Sequence, residues 1–510
     1  MLTSAREAVP NLALVNLREE HAWSQQDVAD RMSAAGYQRG WKEKAPVTAH
    51  MVSRWERGTV RQPSRRNCQL LCDVFGVTLD QLGFARRRPD RQPPISSPPP
   101  VIAASSAGFA QLALAGDRSM MGERVEASQR SWLAVRQGLN QHRAELTEVA
   151  ARRHRTERRV GTTALLTRDD WVLPAPVDLE RLELAWSDGQ VPVEVTGTER
   201  ESRHARPLLS AEQRYRRYSQ AIRDLDRPRL FENRLSYRLL DVAWAESGGR
   251  LTFGTTTYFD MVDVCEALAH ELAATHLAAT DDGLVVQQAP HGRMPFRRLL
   301  GDPFDLRRRP LLPSIDTLTI RRSASGARFI LHQRDPRRVA VAGGMYHIMP
   351  AGVFQPASIA PGVLAHDFDL WRNMLREYSE EFLGNLEHEG SASAPIDYDH
   401  QEPFRTLNQA RRDGKIRALY FGIGLDPLTL CGEILTAVVI DADVFDDVFG
   451  ALVHANEEGV VMGADKAAAR RGAPFVEDCV EQLLESGVMA PAAAACLELA
   501  WRHRDQVLGG

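Results

Sequence analysis

The side chains of this sequence that could do chemistry fall into two groups. The first is the run Val52-Ser53-Arg54-Trp55-Glu56-Arg57-Gly58 with the polar residues just before it, which offers hydroxyl, imidazole and guanidinium donors on one short segment. Such donors suit phosphate oxygens and the edges of bases. The second is Arg376-Glu377-Tyr378-Ser379-Glu380-Glu381. Three carboxylates so close repel one another unless they are solvated or bridged by a cation, and hard oxygen ligands suit Mg²⁺ or Mn²⁺.

Helical spacing of apolar residues indicates how the first group is positioned. Ser24 and Thr48 are suitable N-caps for a second and a third helix, and Pro63 and Ser64 open a fourth. A fifth short helix closes the core, so we expect five helices in about 75 residues. The apolar faces that we predict for these helices are Leu12, Val15 and Leu17; Val28, Ala29 and Met32; Leu70, Leu71, Val74 and Phe75; and Val77, Leu79 and Leu82.

The third helix is predicted to present a polar face to solvent. Val52 and Trp55 lie three residues apart and face inward, and Gly58 ends the helix. The outward positions are then Ala49, His50, Ser53 and Arg54.

These residues resemble the phage-repressor type of helix-turn-helix, also called XRE or Cro-type, over roughly residues 11–84. The most specific part is SRWERG preceded by a Thr-capped polar turn. The resemblance implies that the third helix lies in the major groove of a double-stranded operator, with its N-terminal residues against base edges. The DNA-binding residues that it implies are Gln25 (at a phosphate), Thr48, Ala49, His50, Ser53, Arg54, Arg57 and Arg61.

One departure and one alternative accompany this assignment. The segment SAAGYQRGWKEKAPV between the second and third helices is longer than the family's tight turn, and we interpret it as a surface insertion with basic residues near the phosphates. The alternative is a small helical bundle used for protein contacts. Residues 1–90 hold 14 Arg and Lys against 10 Asp and Glu, whereas the whole chain has a net charge of −4, and this distribution favours DNA.

Composition and length bound the rest of the chain. With 510 residues, 44% of them hydrophobic, the chain has room for several globular domains. Six scattered cysteines without a signal peptide predict a cytoplasmic protein with free thiols, and no segment is long and apolar enough to span a membrane. Cys68 and Cys72 have no matching Cys or His pair, so we interpret them as core residues rather than metal ligands.

Pro-rich stretches and changes of residue pattern along the chain predict a multi-domain α and α/β protein. We expect a helix-turn-helix domain over residues 8–85 and a Pro-rich linker over 86–117, which contains RRRPDRQPPISSPPP. A helical and then α+β middle region follows over 118–310, then an α/β domain over 311–460 and C-terminal helices over 461–510. In the middle region, His270-Glu271 begins like a zinc-protease helix, but the next His, His276, falls on another face, so we exclude zinc hydrolysis.

The second group of candidate residues lies in a strand, turn, strand, helix pattern over residues 315–384. This layout resembles the Nudix family, with REYSEE similar to the core of its signature and MPAG similar to its turn. The resemblance implies that Glu377, Glu380 and Glu381 are ligands of Mg²⁺ and that Arg376 orients them. The departures are a longer segment between Gly352 and Arg376, no counterpart for the glutamate expected there, and Leu383 in place of a glycine. Three interpretations stay open: a Nudix-like fold kept for ligand sensing or dimerisation, an active hydrolase, and an unrelated acidic helix.

The sequence as a whole predicts a sequence-specific DNA-binding transcriptional regulator, cytoplasmic and homodimeric. Its C-terminal part would sense a nucleotide-like effector or mediate oligomerisation. The alternative is an enzyme, a Mg²⁺-dependent Nudix hydrolase of nucleoside diphosphates fused to an autoregulatory helix-turn-helix. A third possibility, an antitoxin-like protein, is disfavoured by the size of the C-terminal part.

Overall fold

The structure of the 510-residue chain is a computed structural model. It describes residues 11–20, 23–38, 47–57, 60, 63–75, 77, 82, 84, 107–187, 191–228, 231–245, 248–280, 283–288, 293–334, 345–359, 362–385, 395–450, 459–461 and 472–509. The chain divides into two compact units, Met1–Ala104 and Ser105–Gly510.

The first unit is helical. Its helices are α1 (Leu12–Glu20), α2 (Gln25–Gln38), α3 (Ala49–Glu56) and α4 (Arg65–Phe75). α2 contacts both α3 and α4, and α1 contacts α3. The first four predicted helices are therefore present, while most of the segment predicted as a fifth lies outside the described residues.

The core of the first unit forms where the apolar spacing predicted it, with one correction. Val28, Ala29 and Met32 of α2 are fully buried, and so is Val52 of α3. On α1, however, Leu14 is the fully buried residue, whereas Leu12 is 58% exposed. The prediction for this helix was wrong for Leu12 and correct for Leu17, which packs against the core. The sequence has leucines on more than one side of α1, and packing against α3 selects among them.

The second unit is a mixture of helices and strands. Its helices are α5 (Ala107–Gln141), α6 (Arg143–Ala151), α7 (Tyr218–Ala221), α8 (Tyr258–His276), α9 (Pro295–Leu300), α10 (Val363–His366), α11 (Leu370–Glu377), α12 (Phe404–Arg412), α13 (Ala442–Phe449), α14 (Glu477–Glu485), α15 (Pro491–Arg502) and α16 (Arg504–Leu508). Its strands are β1 (Val172–Asp178), β2 (Leu182–Trp186), β3 (Leu235–Ala245), β4 (Gly248–Thr257), β5 (Leu277–Thr280), β6 (Gly283–Val286), β7 (Pro313–Ser323), β8 (Gly326–Phe329), β9 (Leu331–Arg334), β10 (Tyr346–Ile348), β11 (Ala351–Val353), β12 (Ile416–Leu425), β13 (Gly432–Asp441), β14 (Gly459–Val461) and β15 (Ala473–Pro474).

A seven-stranded mixed sheet organises this unit. Its order is β1-β12-β13-β7-β8-β15, with β11 paired to β7. The central pair, β13 and β7, is parallel, and the other pairs are antiparallel. β12 and β13 are buried almost throughout, so the centre of this sheet is covered on both faces.

The two faces of the sheet build two hydrophobic cores. Ile434 and Val438 point into one core, which also receives residues of α8, α11 and α12. Leu435 and Ala437 alternate with them and point into the other core, against α15. The period of two residues along β13 thus assigns helices to opposite faces.

The described residues of this unit also form three smaller sheets. They have the orders β2-β4-β3, β10-β9-β14 and β5-β6. α8 follows β4 directly and is buried on nearly all sides. It carries Glu266, which is 2% exposed and accepts hydrogen bonds from Arg136 and Arg143. These two guanidinium groups fix α8 against α5 and α6.

The domain boundaries predicted within residues 118–510 do not separate compact units. β1, from the predicted middle region, pairs with β12 of the predicted α/β domain. α15 packs on β7 and β13 of the same sheet. The predicted linker is also too long, because α5 begins at Ala107. Residues that favour turns indicate where helices and strands end. Strand pairing between distant segments decides which of these elements share one core.

The described part of the chain contains no helix that is both long and apolar enough to cross a membrane.

Candidate nucleic-acid interface

The N-terminus of α3 is capped as the sequence predicts. Thr48 has extended backbone angles, and its Oγ1 accepts a hydrogen bond from the backbone N–H of Met51 at 3.3 Å. This bond satisfies one of the N–H groups that the first turn leaves without an intrahelical partner. The helix therefore starts with a polar, exposed residue at its positive end.

The two sides of α3 differ in exposure. Val52 and Trp55 are buried, 0% and 3% exposed, and they pack into the core of the first unit. Thr48, Arg54 and Arg57 are exposed, while Ala49 and Ser53 are half-buried.

The remaining predicted DNA-binding residues are placed as follows. His50 is in α3, but its side chain lies outside what the structure describes, and so does the whole of Arg61. Arg57 donates from Nε to the carbonyl oxygen of Ser53 at 3.2 Å, which keeps its guanidinium along the helix end. The structure therefore brings Thr48, Ala49, Ser53, Arg54 and Arg57 together on one short helix.

A buried carboxylate at the end of α3 fixes this helix to the rest of the unit. Glu56 is 4% exposed, and its Oε1 lies 2.7 Å from Nε of Arg18 on α1. Its Oε2 accepts from Nε2 of Gln25 on α2 at 2.6 Å. One side chain thus links three helices, and it sets the angle at which α3 meets α1 and α2.

Gln25 has a contact within the unit that the sequence did not reveal. We predicted that its side chain holds a phosphate, and in the structure its amide nitrogen donates to Glu56. The side chain is half-buried at the N-terminus of α2, and this bond fixes its orientation. Arg18 and Glu56 were not singled out in the sequence. Both could have been identified as charged residues at helix positions that the apolar spacing assigns to the core.

The start of α2 is stabilised by a reciprocal cap. The backbone N–H of Asp27 donates to Ser24 Oγ at 3.1 Å, and the backbone N–H of Ser24 donates to Asp27 Oδ2 at 2.7 Å. The Ser24 hydroxyl also donates to Asp27 Oδ2 at 2.8 Å. These bonds from Ser24 lower the pKa of Asp27 below its usual value. The predicted cap at Ser24 is confirmed.

The predicted surface insertion is shorter than expected. α2 continues to Gln38, so the first part of SAAGYQRGWKEKAPV is helical. The prediction of a loop from Ser33 onward was therefore wrong. Residues 39–46, which include the basic positions Arg39, Lys42 and Lys44, lie outside the described residues.

The acidic segment of the second unit was predicted as one continuous helix, and it changes helix type midway. α11 ends at Glu377, and Tyr378–Phe382 forms a π-turn. Tyr378 holds this turn to the sheet, since its hydroxyl lies 2.7 Å from Oγ1 of Thr319 on β7. The wider turn changes the direction of Glu380 and Glu381 relative to Glu377.

Two of the three predicted metal ligands lie against β11. Glu381 is buried, and its Oε1 accepts from the backbone N–H of Ala351 at 3.0 Å. The carboxyl group of Glu377 lies against Gly352, so closely that a Cβ at this position would come within 2.1 Å of its carboxyl carbon. Glu380 is half-buried. Among the described residues there is no group of three or more His, Cys, Asp or Glu side chains that could hold a metal ion, so we derive no metal-dependent step here.

Arg376 pairs with an acidic residue that the sequence did not identify as its partner. The guanidinium is buried, and its Nη1 lies 3.4 Å from Oδ2 of Asp367 and 2.7 Å from the hydroxyl of Tyr398. Asp367 is fully buried and also accepts from the backbone N–H of Ala357 at 2.8 Å. The loop between Gly352 and Arg376 is thus closed on itself around a buried ion pair.

The His-Glu pair that starts like a zinc-protease motif has packing roles. Burial lowers the pKa of His270 to about 3, and its Nδ1 lies 3.1 Å from the Tyr218 hydroxyl. Glu271 accepts from the backbone N–H groups of Phe296 and Arg297, at the start of α9.

No known protein-family model matches this chain, and no curated protein sequence matches it either. The resemblances to the XRE and Nudix families therefore depend on the residues quoted above.

Replacing Glu56 by Gln should loosen the first unit. The substitution keeps the shape but removes the charge that pairs with Arg18, and we expect a loss of about 3 kcal/mol in local stability. Hydrogen exchange of the full chain, followed by mass spectrometry on peptides from α1, α2 and α3, measures this loss. The matched control is Glu126→Gln, whose carboxylate is exposed and should contribute little. Unchanged exchange in all three helices would contradict the role of Glu56.

The cap between Ser24 and Asp27 should stabilise α2 in a pH-dependent way. The folded pKa of Asp27 lies below 3.8, so its contribution is fully present above that pH and is lost as the pH falls through the folded value. At neutral pH, Asp27→Ala should cost about 1 kcal/mol. Hydrogen exchange of α2 amides in wild type and variant, compared over a pH series, tests this. A difference that persisted below the folded pKa would show that the carboxylate charge is not its source.

Proposed function

We propose that this protein is a sequence-specific DNA-binding regulator. The observation that carries the proposal is the arrangement of α3. This helix has a Thr48 cap, an apolar side formed by Val52 and Trp55, and exposed arginines at 54 and 57. A helix of this kind can enter the major groove with its N-terminal residues at base edges.

The rigidity of α3 supports the same proposal. Base readout requires that side chains be held in a fixed position relative to the duplex, because a bidentate contact is lost by small displacements. Glu56 supplies this rigidity by joining α3 to Arg18 of α1 and Gln25 of α2.

The residues divide into two roles under this proposal. Arg54, with Thr48, Ala49, His50 and Ser53, would contact bases, since these residues lie at the start and on the outward side of the helix. Arg57 would contact the phosphate backbone, as would Gln25 and Arg61. Phosphate contacts supply affinity and register, whereas base contacts supply sequence preference.

The second unit would serve as the sensing and dimerising part of the regulator. A dimer matches a palindromic operator, because two identical heads then read two half-sites. An effector that binds the two arrangements of such a dimer differently would change its affinity for the operator. We propose a nucleotide-like effector, since the segment that resembles the Nudix signature lies in this unit.

Selection of duplexes from a random library by the full chain tests the DNA-binding proposal. We expect one enriched sequence, and Arg54→Ala should then weaken binding to it by about 1–3 kcal/mol and relax the preference at one position. Arg57→Ala should weaken binding to selected and random duplexes alike. It should also reduce the slope of log affinity against log salt concentration by about one, the value expected for one phosphate contact. Fluorescence anisotropy measures both effects.

The control for this experiment is Arg130→Ala. Arg130 is an exposed arginine of α5, so its loss changes the net charge equally and leaves every residue of α3 in place. Absence of any sequence preference in the wild-type chain, even at low ionic strength, would overturn the proposal.

The effector proposal is tested on the selected duplex. Nucleoside diphosphates are added one at a time to the full chain with the selected duplex. At least one of them should change the dissociation constant of the protein–DNA complex. Hydrogen exchange of α3 should be as slow with that nucleotide as without it. Equal operator affinity with each of them would remove the nucleotide-like effector and would leave DNA binding itself intact.

A further inference from the structure

Two arginine-rich segments of the second unit adjoin one another. Residues 152–159, RRHRTERR, hold five Arg against one Glu, and residues 293–309 hold six Arg against two Asp. The guanidinium of Arg158 lies over the ring of Phe304, with its Cζ 5.4 Å from the ring centroid, and joins the first segment to the second. Each segment thus has a net charge of +4. Residues 91–510 as a whole have −8, which is the −4 of the chain less the +4 of residues 1–90.

Backbone hydrogen bonds hold residues 152–159 in two tight turns. α6 ends at Ala151, and the backbone N–H of His154 donates to the carbonyl oxygen of Ala151 at 3.0 Å. A short 3₁₀-helix, Thr156–Arg158, follows. Nη2 of Arg159 donates back to the carbonyl oxygen of Ala151 at 2.6 Å, which ties the second turn to the first. The side chains between these bonds are therefore displayed on a well-fixed backbone.

Four arginines of the first segment extend into solvent. Arg152, Arg153, Arg155 and Arg158 are exposed, and no carboxylate of the described residues forms an ion pair with any of them. Exposed arginines at other places in this unit do have acidic partners, as Arg130 has Glu126, Arg250 has Glu183 and Arg405 has Glu402. The positive charge of the first segment is thus not neutralised within the described part of the chain.

Neither the end of α6 nor the acids of the two segments account for this charge. The C-terminus of a helix is equivalent to about half a negative charge, which a single arginine offsets. Asp302 accepts from the backbone N–H of Phe304 at 3.0 Å. Asp305 accepts from the backbone N–H of Arg307 at 3.1 Å, so both aspartates cap local turns. Like charges held close together repel one another, and an anion from outside the chain would relieve that repulsion.

His154 lies between the arginines and adds no charge of its own at neutral pH. It is half-buried. Burial, followed by the charges of Arg297 and Arg159, lowers the pKa of His154 to about 4. The arginines therefore define the charge of this surface throughout the physiological pH range.

The chemistry of the two segments favours phosphate over an apolar partner. None of the large apolar side chains that are exposed in the described part of the chain lies in either segment. Phe296 and Leu300 of α9 are fully buried, and Phe304 is 7% exposed. Surfaces that bind membranes insert apolar side chains, and protein interfaces have an apolar centre. Phosphate oxygens need only cations and hydrogen-bond donors, and the guanidinium group supplies both.

We propose that the basic surface formed by Arg152, Arg153, Arg155 and Arg158 binds the phosphate backbone of duplex DNA without sequence preference. Contacts of this kind add affinity and do not read bases. The choice of duplex DNA as the source of phosphate rests on the function proposed above. The basic surface itself belongs to the second unit and shares no residue with α3.

Binding of the full chain to random-sequence duplexes at several salt concentrations tests this proposal. The triple variant Arg152→Gln/Arg153→Gln/Arg155→Gln leaves the contact of Arg158 with Phe304 in place. We expect it to bind at least about tenfold more weakly than the wild type at low salt. The slope of log affinity against log salt concentration should fall by about two to three, the value expected for the loss of as many phosphate contacts. Fluorescence anisotropy measures both effects.

The matched control is Arg130→Gln/Arg250→Gln/Arg405→Gln. It removes three exposed arginines that have acidic partners, so the net charge changes equally, and affinity and slope should stay close to those of the wild type. Hydrogen exchange of α6 verifies that the first triple variant is folded. Equal affinity of that variant and the wild type, or an equal loss in both triple variants, would overturn the proposal. So would loss of binding to phosphatidylserine vesicles with DNA binding unchanged.

Selection from a random library separates this proposal from the one made for α3. The first triple variant should enrich the same sequence as the wild type and bind it more weakly, as the basic surface requires. If the wild type enriches no sequence, while the first triple variant still loses affinity for random duplexes, sequence-specific regulation fails and the basic surface stands.

Discussion

A charge that is removed from water must be paired or hydrogen-bonded, and this constraint fixes the segments that carry the candidate residues of both units. In the first unit the buried carboxylate of Glu56 is paired with Arg18 and joined to Gln25, which sets α3 against α1 and α2. In the second unit Arg376 is paired with Asp367, and Glu266 with Arg136 and Arg143. The pairs of Glu56 and Glu266 join helices that are far apart in the chain, whereas the pair of Arg376 and Asp367 closes a local loop.

Other buried guanidinium groups are satisfied by carbonyl oxygens. Arg309 is 0% exposed, and its Nη1 and Nη2 donate to the carbonyl oxygens of Pro303 and Leu430. Arg238, which is 3% exposed, likewise donates to the carbonyl oxygens of Val191 and Arg307, whereas Arg136 is paired with Glu266. A buried arginine in this unit therefore has either an acidic partner or carbonyl oxygens that accept its hydrogen bonds.

The acidic helix illustrates how structure changes the interpretation of a motif. In a regular helix, Glu377, Glu380 and Glu381 would share one face, which is what a cation site requires. The π-turn that begins at Tyr378 alters this relation, and Glu381 is hydrogen-bonded to the backbone of Ala351. The described carboxylates thus hold β11 against the helix, and Gly352 permits this because it has no side chain that would meet Glu377.

By itself the sequence determined which segments are helices and strands, and which sides of them are apolar. It did so for α2, α3 and α4 and for β7, because apolar periodicity and caps such as Ser24 and Thr48 are local properties of the chain. It also identified the polar side of α3.

Only the tertiary structure decided which distant residues meet. The link from Glu56 to Arg18, the contact of Glu266 with Arg136 and the pairing of β1 with β12 all join segments whose separation leaves no local signal. The choice of Leu14 over Leu12 for the core is of the same kind. The physical reason is that burial and ion pairing depend on the position of each residue in space, which spacing along a single helix or strand cannot give.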